Sequence, residues 1–311
     1  MLTYDLIAKN KRESWILIFS FLVIITLLGF IFAQAYGRTE ILYFAAGFSI
    51  VSSFISYYFS DSITLALSKA KEVNRQTAPD LYRLVENLTI AAGLPMPKVY
   101  IIEDSAPNAF ATGRDPEHAV VCFTTGILQK LEKAELEGVI AHELSHIGNY
   151  DIRVMTLVVV LVGTITLLAD WMLRVTFFGN RKSNDREGGQ LKIILLIAGI
   201  ALAILSPVIA TLIKLAVSRK REYLADASGA LLTRYPEGLA RALEKISGDR
   251  EPLEAANKAT AHMYIVNPFH EDSRQLNARS GKTPGQGWLS GLFNTHPPIE
   301  DRIKRLREMN L

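Results

Sequence analysis

The stretch VIAHELSHIGN, residues 139–149, sets two histidines four positions apart with a glutamate directly after the first. On a helix, side chains at i and i+4 stand on one face about 5–6 Å apart, so His142 and His146 can both ligate one Zn²⁺. Glu143, next to the first histidine, then has its carboxylate over the open coordination position. There it can accept a proton from a water whose pKa the metal lowers toward about 7. These are the requirements of peptide-bond hydrolysis. The same pattern also arises by chance on ordinary amphipathic helices, so it carries weight only beside a third ligand.

Cysteine cannot supply that ligand set. Cys122 is the single cysteine of the chain, which excludes both a cysteine-based zinc cluster and an intrachain disulfide. A longer histidine-terminated form of the motif would need histidine at position 152, where Ile152 stands, and Gly148 is one residue out of place for it. The other common choice is a glutamate from a separate helix. SRKREYLADASGA, residues 218–230, offers Glu222 with Asp226 four residues on, along one face. Glu222 would complete a His₂Glu set. Asp226 would accept a hydrogen bond from the non-ligating nitrogen of a ligand histidine and fix its tautomer. Read without the histidines, the same stretch is an exposed helix with Arg219, Lys220 and Arg221 as a solvated basic run.

The elements that must hold these groups follow from hydropathy and punctuation. Hydrophobic residues make up 49% of the chain and gather in blocks instead of spreading with helical or strand periodicity. Trp15–Ala35 and Ile41–Phe59 carry no charge, and each is close to the ~20 residues a helix needs to cross ~30 Å of hydrocarbon. They read as a transmembrane hairpin within residues 1–60. A signal peptide is the competing reading of the first block, but its apolar run is too long, no small-residue cleavage site follows, and a second span comes at once. Val154–Phe178 and Leu191–Val217 form a second pair within residues 154–217, marked by Asp170, Lys192 and Lys214. Asp170 stands near the end of its block, where an interfacial position suits it; at mid-bilayer it would mark a functional site.

The rest reads as soluble. Ser68–Leu94 reads as a helix with Leu81, Leu84, Val85 and Leu88 on one face. Lys98–Glu103, Asn108–Thr112 and His118–Thr124 read as strands of a small antiparallel sheet. Thr125–Asn149 reads as helix, broken or bent near Lys130–Ala134, with Leu136, Val139, Ile140 and Leu144 as its apolar face. Residues 218–311 are largely helical in pattern, and the Gly/Pro-rich Arg279–Gly291 is a loop.

For Glu222 to reach His142 and His146, the intervening blocks must leave and return on one side, which requires an even number of crossings. Lys9, Lys11 and Arg12 place the N-terminus in the cytoplasm, and with it residues 61–153 and 218–311. The loop 179–190 runs against this with Arg181, Lys182 and Arg186 opposed by Asp185 and Glu187, and blocks that do not fully span are the alternative. A net charge of +3 is too small and dispersed for nucleic-acid binding. The GKT at Gly281 is no phosphate loop, since Leu276 stands where a glycine is required, so no ATP is expected. Four candidate spans with most polar residues outside them disfavour a transporter.

Four stretches together resemble the HtpX family of membrane zinc metalloproteases, relatives of the CAAX prenyl endopeptidases. They are PNAFATG (107–113), AHELSHIGNYD (141–151), SRKREYLADASGA (218–230) and NTHPPIEDRI (294–303), and the resemblance runs nearly end to end. It implies a mainly α integral membrane protein with about four transmembrane helices and a zincin-like (gluzincin) α+β catalytic domain. It also implies an endopeptidase at the cytoplasmic face of the cell (inner) membrane, acting on misfolded or damaged membrane proteins. One Zn²⁺ per chain would be held by His142, His146 and Glu222, with Glu143 as general base and Asp226 behind the ligands. By the same likeness His296 would stabilise the tetrahedral oxyanion and Arg302 would line the site. The alternatives are a helix-start position before Pro297 and Pro298 for His296, and a plain surface residue beside Lys304 and Arg305 for Arg302.

An edge strand at Asn108, Ala109, Phe110, Ala111 and Thr112, or at His118–Thr124, would pair with an extended peptide through backbone bonds with little sequence preference. His118, His262 and His270 have no paired spacing and read as structural or surface residues, and Cys122 as a buried small hydrophobe. Two rival functions remain. A non-catalytic metal-binding scaffold would have no use for Glu143, and the short chain and few spans disfavour prenyl-peptide processing.

Overall fold

The computed structural model describes residues 3–178, 218–256, 260–266 and 297–309. Helices α1 (Thr3–Tyr36) and α2 (Glu40–Leu67) form a hairpin whose turn is made by Gly37 in the left-handed conformation. Helix α6 (Asp151–Phe178) packs against it: Leu17, Phe21, Ile25 and Leu28 of α1 meet Val154, Val158, Leu161 and Ile165. α1, α2 and the Asp151–Leu168 part of α6 are long and apolar enough to cross a membrane. The outer face of the hairpin is apolar too, with Phe19 67% and Phe44 75% exposed, as a lipid-facing surface requires. The inner face of α2 carries Ser49, Ser53, Ser56, Ser60 and Thr64 at helical spacing. Small residues let helix backbones approach, and Ser56 and Thr64 satisfy their hydroxyls on carbonyls of their own helix.

The sheet contains β1 (Lys71–Val73), β2 (Lys98–Ile102), β3 (Ala109–Gly113) and β4 (Ala119–Thr124) in the order β1-β2-β4-β3. It is mixed and not the antiparallel sheet expected: β2 and β4 run parallel. After β2 the chain crosses to the far edge to lay down β3, then returns as a hairpin, and this inserts β4 in the middle. β4 is therefore no edge strand, and only β3 keeps the edge expected of Asn108–Thr112. The expected helix over Ser68–Leu94 is also shortened. Residues Lys71–Val73 pair with β2, and Asn74 Oδ1 accepts from the Gln76 and Thr77 amides to turn the chain. Helix α3 (Pro79–Ala92) then starts on a proline and ends at left-handed Gly93.

Helices α4 (Thr125–Lys130) and α5 (Lys133–Gly148) are separated at the expected break, where Glu132 and Glu135 form a capping box that starts α5. Helices α7 (Arg219–Thr233), α8 (Pro236–Gly248) and α9 (Ile299–Arg307) complete the body. Val121 and Phe123 of the sheet, Val139, Ile140 and Leu144 of α5, and Leu239 and Leu243 of α8 share one core. That core packs along the length of α5. The block Leu191–Val217, the side chain of Asp170, the loop Arg279–Gly291, His270 and His296 lie outside the described residues.

Candidate metal centre

His142, Glu143 and His146 are buried on the last two turns of α5. Facing them, Glu222, Asp226 and Gly229 share one side of α7 at helical spacing. Gly229 sets the approach: a Cβ there would stand 3.0 Å from the His142 nitrogen and 3.2 Å from the Ala141 carbonyl carbon. A side chain would hold α7 away from α5, and Glu222 away from the histidines.

The two His Nε2 atoms lie 3.2 Å apart, and the Glu222 carboxylate lies 3.9 Å from that of His142 and 3.6 Å from that of His146. A tetrahedral ion with ligand bonds of ~2.0–2.1 Å sets its ligand atoms ~3.3 Å apart. The histidines already stand at that spacing, and Glu222 a few tenths of an ångström beyond it. The Nδ1 atoms face carboxylates instead: Asp226 Oδ1 lies 3.0 Å from His142, bent away from ideal alignment, and Asp151 Oδ2 lies 3.0 Å from His146. A proton on each Nδ1 leaves both Nε2 lone pairs for a cation. The donor set fits a divalent metal of the His₂Glu type.

Behind His142, the fully buried Arg302 of α9 grips Asp226 through Nε (2.8 Å) and Nη2 (2.6 Å), donates through Nη1 to the Ile265 carbonyl, and stands 3.7 Å from Glu222. The reading of Arg302 as a surface residue is thus corrected: the carboxylates of α7 draw it inward from beside exposed Lys304 and Arg305. Burial alone would raise the Asp226 carboxyl, but the Arg302 charge and its hydrogen bonds, with His142, hold it down at about 2. The basic run on α7 is corrected in the same way. Arg219 and Lys220 are exposed, whereas Arg221 is buried against Glu13 and Asp151.

No spacing rule points to Asp151. It stands five residues after His146, off the helical register, and meets that ring only because α5 ends at Gly148 and α6 begins at Asp151. Its other oxygen accepts from Asn10 Nδ2 of α1 at 2.6 Å, and Asn10 Oδ1 accepts from Arg221 at 3.0 Å. The first membrane-length helix therefore reaches the metal centre through one buried amide. The signal available in the sequence is a carboxylate opening an apolar block directly after the histidines.

Glu143 is buried, and its carboxyl is raised to about 7. Burial is the main cause and the Glu222 charge adds to it, while His146, the Ala111 N–H and Arg302 pull the other way. The Ala111 bond ties Glu143 to β3. Elsewhere this strand is partly engaged: the Ala109 carbonyl accepts from Ile265 N (3.0 Å), Asn108 donates to the Val266 carbonyl, and Thr112 bonds Thr156. Among the other expectations, Cys122 is buried, His118 is exposed on Asp115, and His262 lies 3.2 Å from the Met155 carbonyl.

The profile of peptidase family M48 matches residues 75–310, which takes in every residue of the His₂Glu cluster. A "Protease HtpX homolog" of Dictyoglomus thermophilum is 46% identical, over 98% of this chain and 94% of its own length. Another from Thermoanaerobacter pseudethanolicus is 45% identical, over 99% of this chain and 98% of its own length. Among solved structures, S. mikatae Ste24p aligns over 97% of this chain and 67% of its own at 19% identity, with a TM-score of 0.48. With 45–46% identity to these HtpX homologues over nearly the whole chain and a family match across the whole metal cluster, the chain belongs to peptidase family M48.

Proposed function

We propose that the protein is a membrane-embedded zinc metalloendopeptidase that hydrolyses peptide bonds of misfolded or damaged membrane proteins. One observation carries this reading: three buried metal-ligating side chains converge beside a buried carboxylate raised to about 7. His142, His146 and Glu222 would hold one Zn²⁺ per chain. When bound, the ion supplies a Lewis acid that polarises the scissile carbonyl and acidifies the attacking water. Glu143 would take the proton of that water and pass it to the leaving amine. Asp226 and Asp151 hold the histidine rings, and Arg302 holds Asp226. Backbone groups of β3 near Ala111 would line up an extended peptide beside Glu143, giving affinity without sequence preference. His296 is kept as an oxyanion donor on the family likeness alone.

The topology reading is two membrane hairpins, residues 1–60 and 154–217, with 61–153 and 218–311 on the cytoplasmic side of the cell (inner) membrane. The meeting of α5 with α7 supports it, because residues 149–218 must then begin and end on one side. The test compares wild type with Glu143→Gln for bound zinc and for cleavage of an unfolded protein. The variant is expected to keep its zinc and to lose about 10²–10⁴-fold in rate. A variant that holds zinc and cleaves at the wild-type rate would refute the base assignment.

A further inference from the structure

Between α5 and α6 the backbone of Tyr150 is left-handed, at φ 60°, a conformation a bulky residue keeps only when its surroundings hold it. This turn brings two cations to the Tyr150 ring. Lys11 Nζ of α1 lies 4.4 Å from its centroid and the Arg153 guanidinium of α6 lies 5.5 Å away. Arg153 is half-buried; its Nε donates to the Arg114 carbonyl (2.6 Å) and its Nη2 to the Tyr57 hydroxyl (3.2 Å). Among the described residues, neither Lys11 nor Arg153 has a carboxylate within 4.0 Å.

The neighbouring acids are engaged elsewhere. Asp115 pairs with Arg114 and His118, and Glu13 with Lys9 and Arg221, while Glu117 is exposed and pairs with neither cation. The other buried or half-buried arginines described, Arg114, Arg221 and Arg302, each have a carboxylate partner. Two cations share one ring with no carboxylate at either among the described residues, and an anion meeting both would relieve their repulsion.

The location identifies the anion. Trp15 stacks on Tyr57 at 5.9 Å, and Trp15 (60% exposed), Tyr58 and Phe59 form an aromatic rim where the outer apolar faces of α1 and α2 end. Lys9 and Arg12 stand on the same turns of α1, exposed. Basic side chains at such a rim meet the phosphates of acidic lipids. We propose that Lys11, Arg153, Tyr57 and Tyr150 form a headgroup site for the phosphate of an anionic phospholipid, at the membrane edge of the metal centre. This rests on reading α1, α2 and α6 as membrane spans. Arg153 shares the first turn of α6 with Asp151, so a bound phosphate steadies the turn that holds His146.

The experiment uses the full chain in detergent with its zinc. It is exchanged into micelles holding phosphatidylglycerol or phosphatidylcholine, washed, and assayed for lipid retained per chain, with inorganic phosphate as a third arm in thermal unfolding. Wild type is expected to retain phosphatidylglycerol over phosphatidylcholine and to be stabilised by the former but not by inorganic phosphate. Lys11→Gln and Arg153→Gln should each lower phosphatidylglycerol retention about fivefold with zinc content kept. Lys11 is exposed, so that variant folds as wild type does. Equal retention of the two lipids, or wild-type retention by both variants, would overturn the proposal. Stabilisation by inorganic phosphate equal to that by lipid would replace it with a free-anion site. A chain that stays dispersed without detergent would overturn the membrane reading and this proposal together, whereas a failed Glu143→Gln test leaves lipid retention standing.

Discussion

Arg302 and Asp226 meet in a two-pronged, fully enclosed pair behind His142, with contacts of 2.8 and 2.6 Å. Removing one partner of such a pair strands a buried charge and costs about 3–5 kcal/mol. Arg302→Met is therefore expected to destabilise the protein by roughly that amount and to lower its zinc content, read by thermal unfolding and metal analysis. If activity fell while stability and zinc stayed at wild-type levels, Arg302 would instead act on the substrate.

Asp151→Ala removes the acceptor that orients His146. Loss of such a supporting carboxylate weakens metal binding by about 10–100-fold. Asn10→Ala, which takes one bond from Asp151, should move affinity the same way by less. Competition with a chromogenic chelator reads both. Wild-type affinity in Asp151→Ala would show that His146 needs no such support.

Zinc uptake should release protons. In the metal-free chain burial pulls the His146 pKa down, but the Asp151 hydrogen bond and the charges of Glu222, Asp151 and Glu143 outweigh it and raise the group to about 9. His142, lowered by burial, is already neutral at pH 7. Only neutral imidazole ligates, so affinity rises with pH up to about 9 and binding at pH 7 expels about one proton from His146. Glu143, at about 7, adds a fraction. In the metal-free protein the stability His146 gains is full below its unfolded value of about 6.5 and is lost as pH rises through about 9. Calorimetry in buffers of different ionisation enthalpy counts the protons, and an absence of release at pH 7 would contradict this account.

Gly138 lies one turn before His142, and a Cβ there would sit 2.7 Å from the Leu239 nitrogen. Backbone cannot swing aside as a side chain does, so Gly138→Ala must push α8 from α5. A loss of about 1–3 kcal/mol is expected, read as a lower unfolding temperature. A stabilised variant would show that α8 can shift freely.

Much of this centre is legible in the sequence because helical period is local physics. His142, His146, Glu222 and Asp226 follow from i, i+4 spacing, and the α4–α5 break and the apolar blocks from composition. What depends on the path of the chain is not legible. The parallel pairing of β2 with β4 comes from a crossover, and Lys71–Val73 becomes strand because β2 offers it a free edge. Arg302, placed at the site by the family likeness alone, could equally read as surface among its charged neighbours until α9 is laid over α7. Asp151 reaches His146 only across a joint whose angle is set by Tyr150.

That joint is two residues long, Asn149 and Tyr150. His146 precedes Asp151 by five positions, and its ring meets that carboxylate at 3.0 Å across the joint. With α6 as a span, the proposed cutting centre would be held at one fixed altitude above the lipid. On the proposed function, tails and loops slumped against the bilayer would come within range and well-folded domains standing clear of it would not, so height would do the work that a side-chain pocket does elsewhere.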